Sequence, residues 1–340
     1  MKPNNGITFI HLEETDSTNT YLKSYPRDPA QPYIAVMADY QTAGRGQRGN
    51  TWHSARGQNL LCSIRHHPTF LRPQQQFILS QLIALTITDG LSELLPDADE
   101  HLRIKWPNDI YWDDRKLCGI LIEYELSATS IEQAIIGFGV NVNQTDFGSA
   151  PGDTTLRLPG RDIIGATYRP TSLRLITGKD FDVPTLFYTL TRRYITTLST
   201  LFREQRTENR RSCENQGGDA TCRVSTSGRV ATDEGVANRE QINVKEPQTE
   251  VSSDHCSLFT DHSSLPTAHC SLFTDHCSLE SLNLRYARRL YRLGTPARYR
   301  DAEGDFTATI EGVNPDGTLR LRLPDGTLRH YEFKQVAYIV

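Results

Sequence analysis

The sequence has little that is apolar, and nothing that is apolar for long. Hydrophobic residues make up 37% of its 340 residues, a low share for a packed chain. No apolar run approaches the roughly eighteen residues of a membrane span, which excludes an integral helical membrane protein. A basic excess is missing too. Lys and Arg number 37 against 41 Asp and Glu, a net charge of −4, so no nucleic acid partner held by a broad electrostatic stripe is expected. The opening MKPNNGITFIHLEE lacks the charged segment, long apolar stretch and cleavage site of a secretion signal, so a cytoplasmic location is expected. Cysteines number seven. That odd count, scattered along a long chain, does not suggest a disulfide framework.

The apolar deficit is local. From Thr207 to Asp254 there is no Phe, Trp, Tyr or Leu. Such a stretch cannot bury enough apolar area to offset its ordering entropy and is expected to be disordered. Four versions of one heptapeptide follow: DHCSLFT, DHSSLPT, AHCSLFT and DHCSLES, with His255, His262, His269 and His276 a strict seven residues apart. Solenoid units are usually longer, about 20–50 residues. Histidine and cysteine are competent metal ligands, but structural zinc sites space their paired ligands two to four residues apart. Here each His–Cys pair is adjacent, so a tandem duplication in a tolerant loop is the simpler reading.

Taking out residues 207–281 as a low-complexity insertion leaves ordinary globular sequence. Residues 1–206 form one block. Its last segment, 182–205, carries Leu186, Leu190, Tyr194, Leu198, Leu201 and Phe202 at helical spacing, with Asp182 as candidate N-cap and Pro184 near the first turn. Residues 282–294 read as another helix, with Leu284, Ala287, Leu290 and Tyr291 on one face and Gly294 as its stop. The insertion therefore widens a helix–helix connection at small entropic cost. Residues 295–340 alternate in period two around Pro-Asp-Gly turns at 315–317 and 324–326, the pattern of short hairpin strands. A small SH3-like β-barrel is expected, packed on the main block because so short a chain has too little core alone.

Four constellations carry chemistry. Ser17, Thr18 and Asn19 follow the strand-like ITFIHLEE; they are a helix N-cap, with Asp16 or Ser17 as the cap residue, or a hydrogen-bonding ledge for a polar head group. Gly44, Arg45, Gly46, Gln47, Arg48 and Gly49 form a Gly-Arg loop between strand-like runs. Its glycines let backbone N–H groups face an anion, and its arginines suit phosphate oxygens. It matches neither the P-loop nor the dinucleotide fingerprint. Trp52, just beyond, would close a pocket wall or sit in the core. The third is RIKWPNDIYWDDRKLCGILIEYEL, residues 103–126: a strand, a turn at Pro107-Asn108-Asp109, then a hairpin with Asp113-Asp114 at its tip. Lys116 starts a buried-looking strand, where its amine suits a carboxylate or phosphate, or is simply a solvated strand end. In the fourth, AIIGFGVNVNQ, alternation reads as strand, with Asn141 and Asn143 unusual inside it.

Together S-T-N, Q-x-x-G-R-G-x-x-G, K-W-P-N-D with R-K-L-x-G-I-L-x-E, and G-x-G-x-N-x-N resemble the motifs of biotin–protein ligases, across residues 8–206 and 284–340. The resemblance implies an α+β fold: a mixed sheet with flanking helices, like class II aminoacyl-tRNA synthetases, followed by the SH3-like barrel. It implies ATP-dependent activation of biotin as biotinyl-5′-AMP, with Mg²⁺, and transfer to a lysine of a biotin carboxyl carrier protein. Ser17, Thr18, Asn19 and Gln41 would line the biotin pocket. Gly44, Arg45, Gly46 and Arg48 would order over biotinyl-AMP, and Trp52 would sit on the nucleotide side. Lys116 would contact the biotin carboxylate and the α-phosphate. Gly119 to Leu121 would present backbone to biotin. Asn108 and Asp109 would organise the nucleotide, metal or acceptor-lysine region, and Asn141 would reach the adenine side. The metal ligands stay unassigned. A homodimer is compatible with the family, though no residue demands it. The chain starts at the catalytic strand, so no DNA-binding module, and hence no repressor, is expected. Gln47 stands where many relatives carry a basic residue, which implies a looser hold on the adenylate.

The charges suit that chemistry. Biotin's carboxylate and the α-phosphate repel, and Arg45, Arg48, Lys116 and a Mg²⁺ ion would offset this. A loop folded over the adenylate would keep water from a labile mixed anhydride. Asp109 would orient the acceptor amine or take its proton. The alternative within the same logic is a lipoate–protein ligase. A non-catalytic repressor or a His/Cys metal buffer fits the motifs less well.

Overall fold

The computed structural model describes residues 6–147, 156–158, 161–163, 170–215 and 278–339. The chain divides into two units, Met1–Gln205 with Cys277–Val340, and Arg206–His276. The first unit holds all the described strands. The heptapeptide repeats, and the part of the expected disordered stretch from 216 on, lie outside the described residues up to 277.

A seven-stranded sheet is built from β1 (Ile7–Thr15), β2 (Tyr33–Gln41), β3 (Leu60–His66), β4 (Leu102–Lys105), β5 (Asp109–Trp112), β6 (Arg115–Leu126) and β7 (Ile131–Val140). Its order is β1-β2-β3-β7-β6-β5-β4. β1 and β2 run parallel and the other neighbours antiparallel, so the sheet is mixed, as expected. A short antiparallel pair, β8 (Leu156–Leu158) and β9 (Arg161–Ile163), follows.

One face carries α1 (Thr18–Ser24), whose Leu22 is buried with Ile34, Val36 and Ile135. The main core holds α2 (Gln76–Ser92), α3 (Ala98–His101), α4 (Leu173–Thr177), α5 (Val183–Asn215) and α6 (Leu279–Arg288). Helix α2 is buried nearly all round, the mark of a central helix. On α5 the expected stripe of Leu186, Leu190, Tyr194, Leu198 and Leu201 is buried, and Asp182 caps the helix by accepting from the Thr185 N–H at 2.8 Å. Two helix boundaries differ from the sequence reading. Helix α5 runs on to Asn215, through residues 207–215, which composition alone places in the insertion; that stretch has no proline and the first glycine is Gly217, so nothing breaks the helix. Helix α6 starts at Leu279 because Ser278 caps it, accepting from the Ser281 N–H at 3.1 Å, and it ends at Arg288 rather than 294. Its inner face is Leu282 and Tyr286, while Leu284 is exposed.

The last block is a five-stranded antiparallel sheet, the region expected to form the SH3-like barrel: β10 (Pro296–Arg300), β11 (Asp305–Val313), β12 (Leu319–Arg322), β13 (Leu328–Tyr331) and β14 (Ala337–Tyr338). Both Pro-Asp-Gly segments are turns. Gly317 and Gly326 have φ of 95° and 88°, and Asp316 and Asp325 accept from the N–H two residues on, at 2.9 and 2.8 Å. This sheet docks on the main one, where Trp106 Nε1–H donates to Gly317 O at 2.9 Å. None of the described helices is long and apolar enough to cross a membrane.

Candidate active site

The motifs converge because two central strands, β6 and β7, give up side chains. Gly119 of β6 faces Gly139 of β7, which faces Leu61 of β3, and Gly137 lies two residues before Gly139 on the same side of the strand. Glycine inside central strands weakens a sheet and marks a close approach. Here a Cβ on Gly139 would come within 2.6 Å of the Trp52 ring, one on Gly119 within 2.9 Å of it, and one on Gly137 within 2.9 Å of Asn19 Cγ. The bare backbone forms the floor of an open cavity.

The S-T-N segment supplies one wall. Ser17 occupies the N-cap position but makes no side-chain cap bond. Gln41, at the end of β2, takes that role, its Oε1 accepting from the Thr18 N–H at 2.8 Å and from Thr18 Oγ1 at 3.1 Å. Ser63 Oγ lies 2.7 Å from Thr18 Oγ1 and 2.6 Å from Asn19 Oδ1. Asn19 Nδ2 donates to Glu123 Oε2 at 2.8 Å. All three ledge residues are buried, so their polar groups are aligned in advance.

The Gly-Arg loop spans β2 to β3. Arg45 pairs with Glu123, Nη2 to Oε1 at 3.1 Å, and Gly46 N–H donates to Asn50 O at 2.7 Å. Arg48 lies in the 3₁₀ turn Gln47–Gly49. The Trp52 ring covers Gly119 and Gly139, and Lys116 Nζ sits 5.6 Å from its centre. Among the described residues, two buried polar atoms of cavity-lining side chains have no hydrogen-bond partner, Trp52 Nε1 and Gln47 Oε1. Buried polar groups rarely stay unpaired, and these offer a ligand one donor and one acceptor.

Opposite the ledge, Lys116 Nζ pairs with Asp109 Oδ1 at 2.8 Å, with side chains 17% and 23% exposed. Lys105 neighbours Asp109 in the β4–β5 ladder. Burial pushes its amine down to about 8, an effect Lys116 reinforces and Asp109 opposes, and its Nζ donates to the Tyr111 hydroxyl at 3.0 Å. Asn108 Nδ2 donates to Ile120 O. The Cys62 thiol is held in its neutral form by burial, so this cavity-lining cysteine is no nucleophile. Asp109 is the one carboxylate among the described cavity-lining residues, and no described cluster of three or more His, Cys, Asp or Glu fits a metal ion. That donor set suits a Mg²⁺ ion that takes most ligands from phosphates and water.

The cavity therefore gathers Ser17, Thr18, Asn19, Gln41, Arg45, Gly46, Trp52, Asn108, Asp109, Lys116 and Gly119. Gly44 is not among the lining residues; its carbonyl accepts from the Trp52 N–H at 2.9 Å. Asn141 lies apart from these residues. Strand β7 ends at Val140, and Asn141 is absent from the lining, its buried amide donating to Thr171 O at 2.9 Å and Lys116 O at 3.4 Å. Asn143 likewise clamps Phe181, donating to its carbonyl at 2.8 Å and accepting from its N–H at 2.9 Å. Both asparagines fasten the segment around α4, contacts some 30 and 38 residues away in sequence. Glu123 is a polar residue that motif reading leaves out; the E of R-K-L-x-G-I-L-x-E is the available signal for it.

Polar ledge, bare floor, ion-paired lysine and arginine loop thus meet in one cavity on a mixed sheet. Residues 12–141 match the model of the biotin/lipoate A/B protein ligase family. The fold is that of the biotin protein ligases. It is 39% identical over 141 residues to the bifunctional ligase/repressor BirA of Escherichia coli, covering 40% of this chain and 41% of that protein. To the biotin–[acetyl-CoA-carboxylase] ligase of Paracoccus denitrificans it is 36% identical over 136 residues, 38% of this chain and 53% of that one. The match thus spans about two fifths of the length of the bifunctional relatives. The structure of the biotin protein ligase from Aquifex aeolicus in complex with biotin and ATP superposes with a TM-score of 0.55 at 20% identity, over 97% of both chains.

Proposed function

We propose that this protein is a biotin–protein ligase. In the first step a biotin carboxylate oxygen attacks the α-phosphorus of ATP, forming the acyl–phosphate bond of biotinyl-5′-AMP and expelling pyrophosphate. In the second, the neutral amine of a carrier lysine attacks the acyl carbon, AMP leaves, and the amine loses a proton. The carrier is a biotin carboxyl carrier protein or domain, and the setting is the cytoplasm. The reading requires neither a second copy nor a nucleic acid.

The observation that carries it is the meeting, in one cavity, of the ledge, the loop and the Asp109–Lys116 pair. Ser17, Thr18, Asn19 and Gln41 hold the uncharged ring of biotin by hydrogen bonds. Gly119 and its neighbours leave room for the tail. Lys116, Arg45 and Arg48 offset the meeting of two anions, which is how preorganised charge lowers such a barrier. Trp52 and Asn108 flank the nucleotide, and Gly44 and Gly46 let the loop close. Mg²⁺ carried by ATP would neutralise phosphate charge. Asp109 orients the acceptor amine once Lys116 has turned to the adenylate.

Mass spectrometry of a carrier domain incubated with the protein, ATP, Mg²⁺ and biotin tests this; one added biotinyl group on one lysine is expected, and an unchanged mass refutes it. The matched family also includes lipoate ligases. Pyrophosphate–ATP exchange dependent on biotin, and not on lipoate, separates the two.

A further inference from the structure

We propose that Glu123 is a positioning residue that holds the loop arginine Arg45 against the protein and releases it to a phosphate-bearing ligand. The inference rests on the function proposed above and adds to it a residue with no direct part in the chemistry. Glu123 is absent from the cavity lining. One of its oxygens takes Arg45 Nη2 at 3.1 Å. The other takes Asn19 Nδ2 at 2.8 Å and lies 3.4 Å from Arg45 Nη1. A single carboxylate thus joins the loop to the ledge, 78 and 104 residues away in sequence.

The two attachments differ in strength. Asn19 is buried, and its amide is fixed at the other end by Ser63 at 2.6 Å. Arg45 is 47% exposed at its side chain, where an ion pair is weak and screened. A phosphate offers the guanidinium a better bidentate partner. Occupancy by an anion therefore draws Arg45 away while Asn19 stays, and the charge of Glu123 opposes that transfer. The carboxylate keeps the loop arginine on the protein until there is a phosphate to bind, and it keeps the ledge oriented throughout.

The test compares a charged and an uncharged ligand of the same cavity by calorimetry: the stable phosphodiester of biotinol with AMP, and biotin methyl ester. In Glu123→Gln an amide oxygen can still accept from Asn19, but the charge on Arg45 is gone. The ratio of phosphodiester to ester affinity should rise about two- to fivefold over the parent protein, the size of an exposed pair. In an Arg45→Gln background the same change should leave the ratio unmoved. An unchanged or lowered ratio in Glu123→Gln overturns the proposal. So does a rise that persists without Arg45, since that would be general field and no release. If the parent protein binds neither compound, the biotin ligase reading itself fails, a result distinct from either.

Discussion

Gly137→Ala tests whether the ledge depends on the missing Cβ. An added methyl would lie within 2.9 Å of Asn19 Cγ, and closer still to its Oδ1, so Asn19 must move. Moving it breaks the bond from Ser63 at 2.6 Å and the bond to Glu123 at 2.8 Å. A neutral bond is worth about 0.5–1.5 kcal/mol and one to a charged group about 1.5–3. The loss is about 2–4.5 kcal/mol, reduced by about 0.4–1 because alanine restricts the unfolded chain. Urea unfolding of the parent, Gly137→Ala, Asn19→Ala and the double variant measures it. With Asn19 truncated there is nothing to strike, so Gly137→Ala should then cost less than about 0.5 kcal/mol. Equal costs in both backgrounds would refute the reasoning and place the strain in the sheet. The single variant should also lose biotin affinity, because Asn19 leaves the ledge.

Lys116→Ala removes the cation at 2.8 Å from Asp109 and should lower biotin-dependent pyrophosphate–ATP exchange about 10²–10³-fold; exchange at the parent rate removes Lys116 from the mechanism. Burial pushes the His66 imidazole down to about 3, against about 6.5 in the unfolded chain, so the unfolded state binds the extra proton as pH falls below 6.5. Stability should drop by about 2 kcal/mol between pH 7 and 5 on this account, and His66→Gln, which keeps a polar group near the Tyr194 hydroxyl at 3.0 Å, should flatten that slope; a slope of the same size in the variant would assign it elsewhere. Gly317→Ala should cost about 1–3 kcal/mol more than Gly326→Ala in urea unfolding. Both glycines have positive φ, but only at Gly317 would a Cβ meet the Phe77 ring, at 2.9 Å; equal costs would leave backbone strain as the whole effect.

What the sequence reveals here is what is local. The Pro-Asp-Gly turns at 315–317 and 324–326 combine a turn former, an Asx acceptor and a glycine at positive φ within four residues, so their structure could be read directly. The 3.6-residue stripe of α5 and its Asp182 cap are legible for the same reason. Distant pairings were out of reach. The acceptor at the start of α1 is Gln41, 23 residues away, where local reading places Asp16 or Ser17. Asn141 and Asn143 have the residue types of a ligand site, but they close on Thr171 and Phe181, which no pattern around residue 140 foretells. Leu284 fits a helical face counted from 282, yet it points to solvent, because the packed face of α6 is Leu282 and Tyr286.

The loop's contacts explain why one strand matters more than the other six. Arg45 reaches Glu123, Gln47 Nε2 reaches Ile120 O at 3.5 Å, and Trp52 covers Gly119. These targets lie on β6, which also carries Lys116, while the Trp52 ring extends over Gly139 of β7 as well. The strand itself is held on both sides by β5 and β7, so it cannot yield. The loop contacts are a half-exposed ion pair, one long hydrogen bond and a ring resting on glycine, each weak enough to give way. Under the proposed function, a ligand laid along β6 would displace those contacts and free the loop to fold over it.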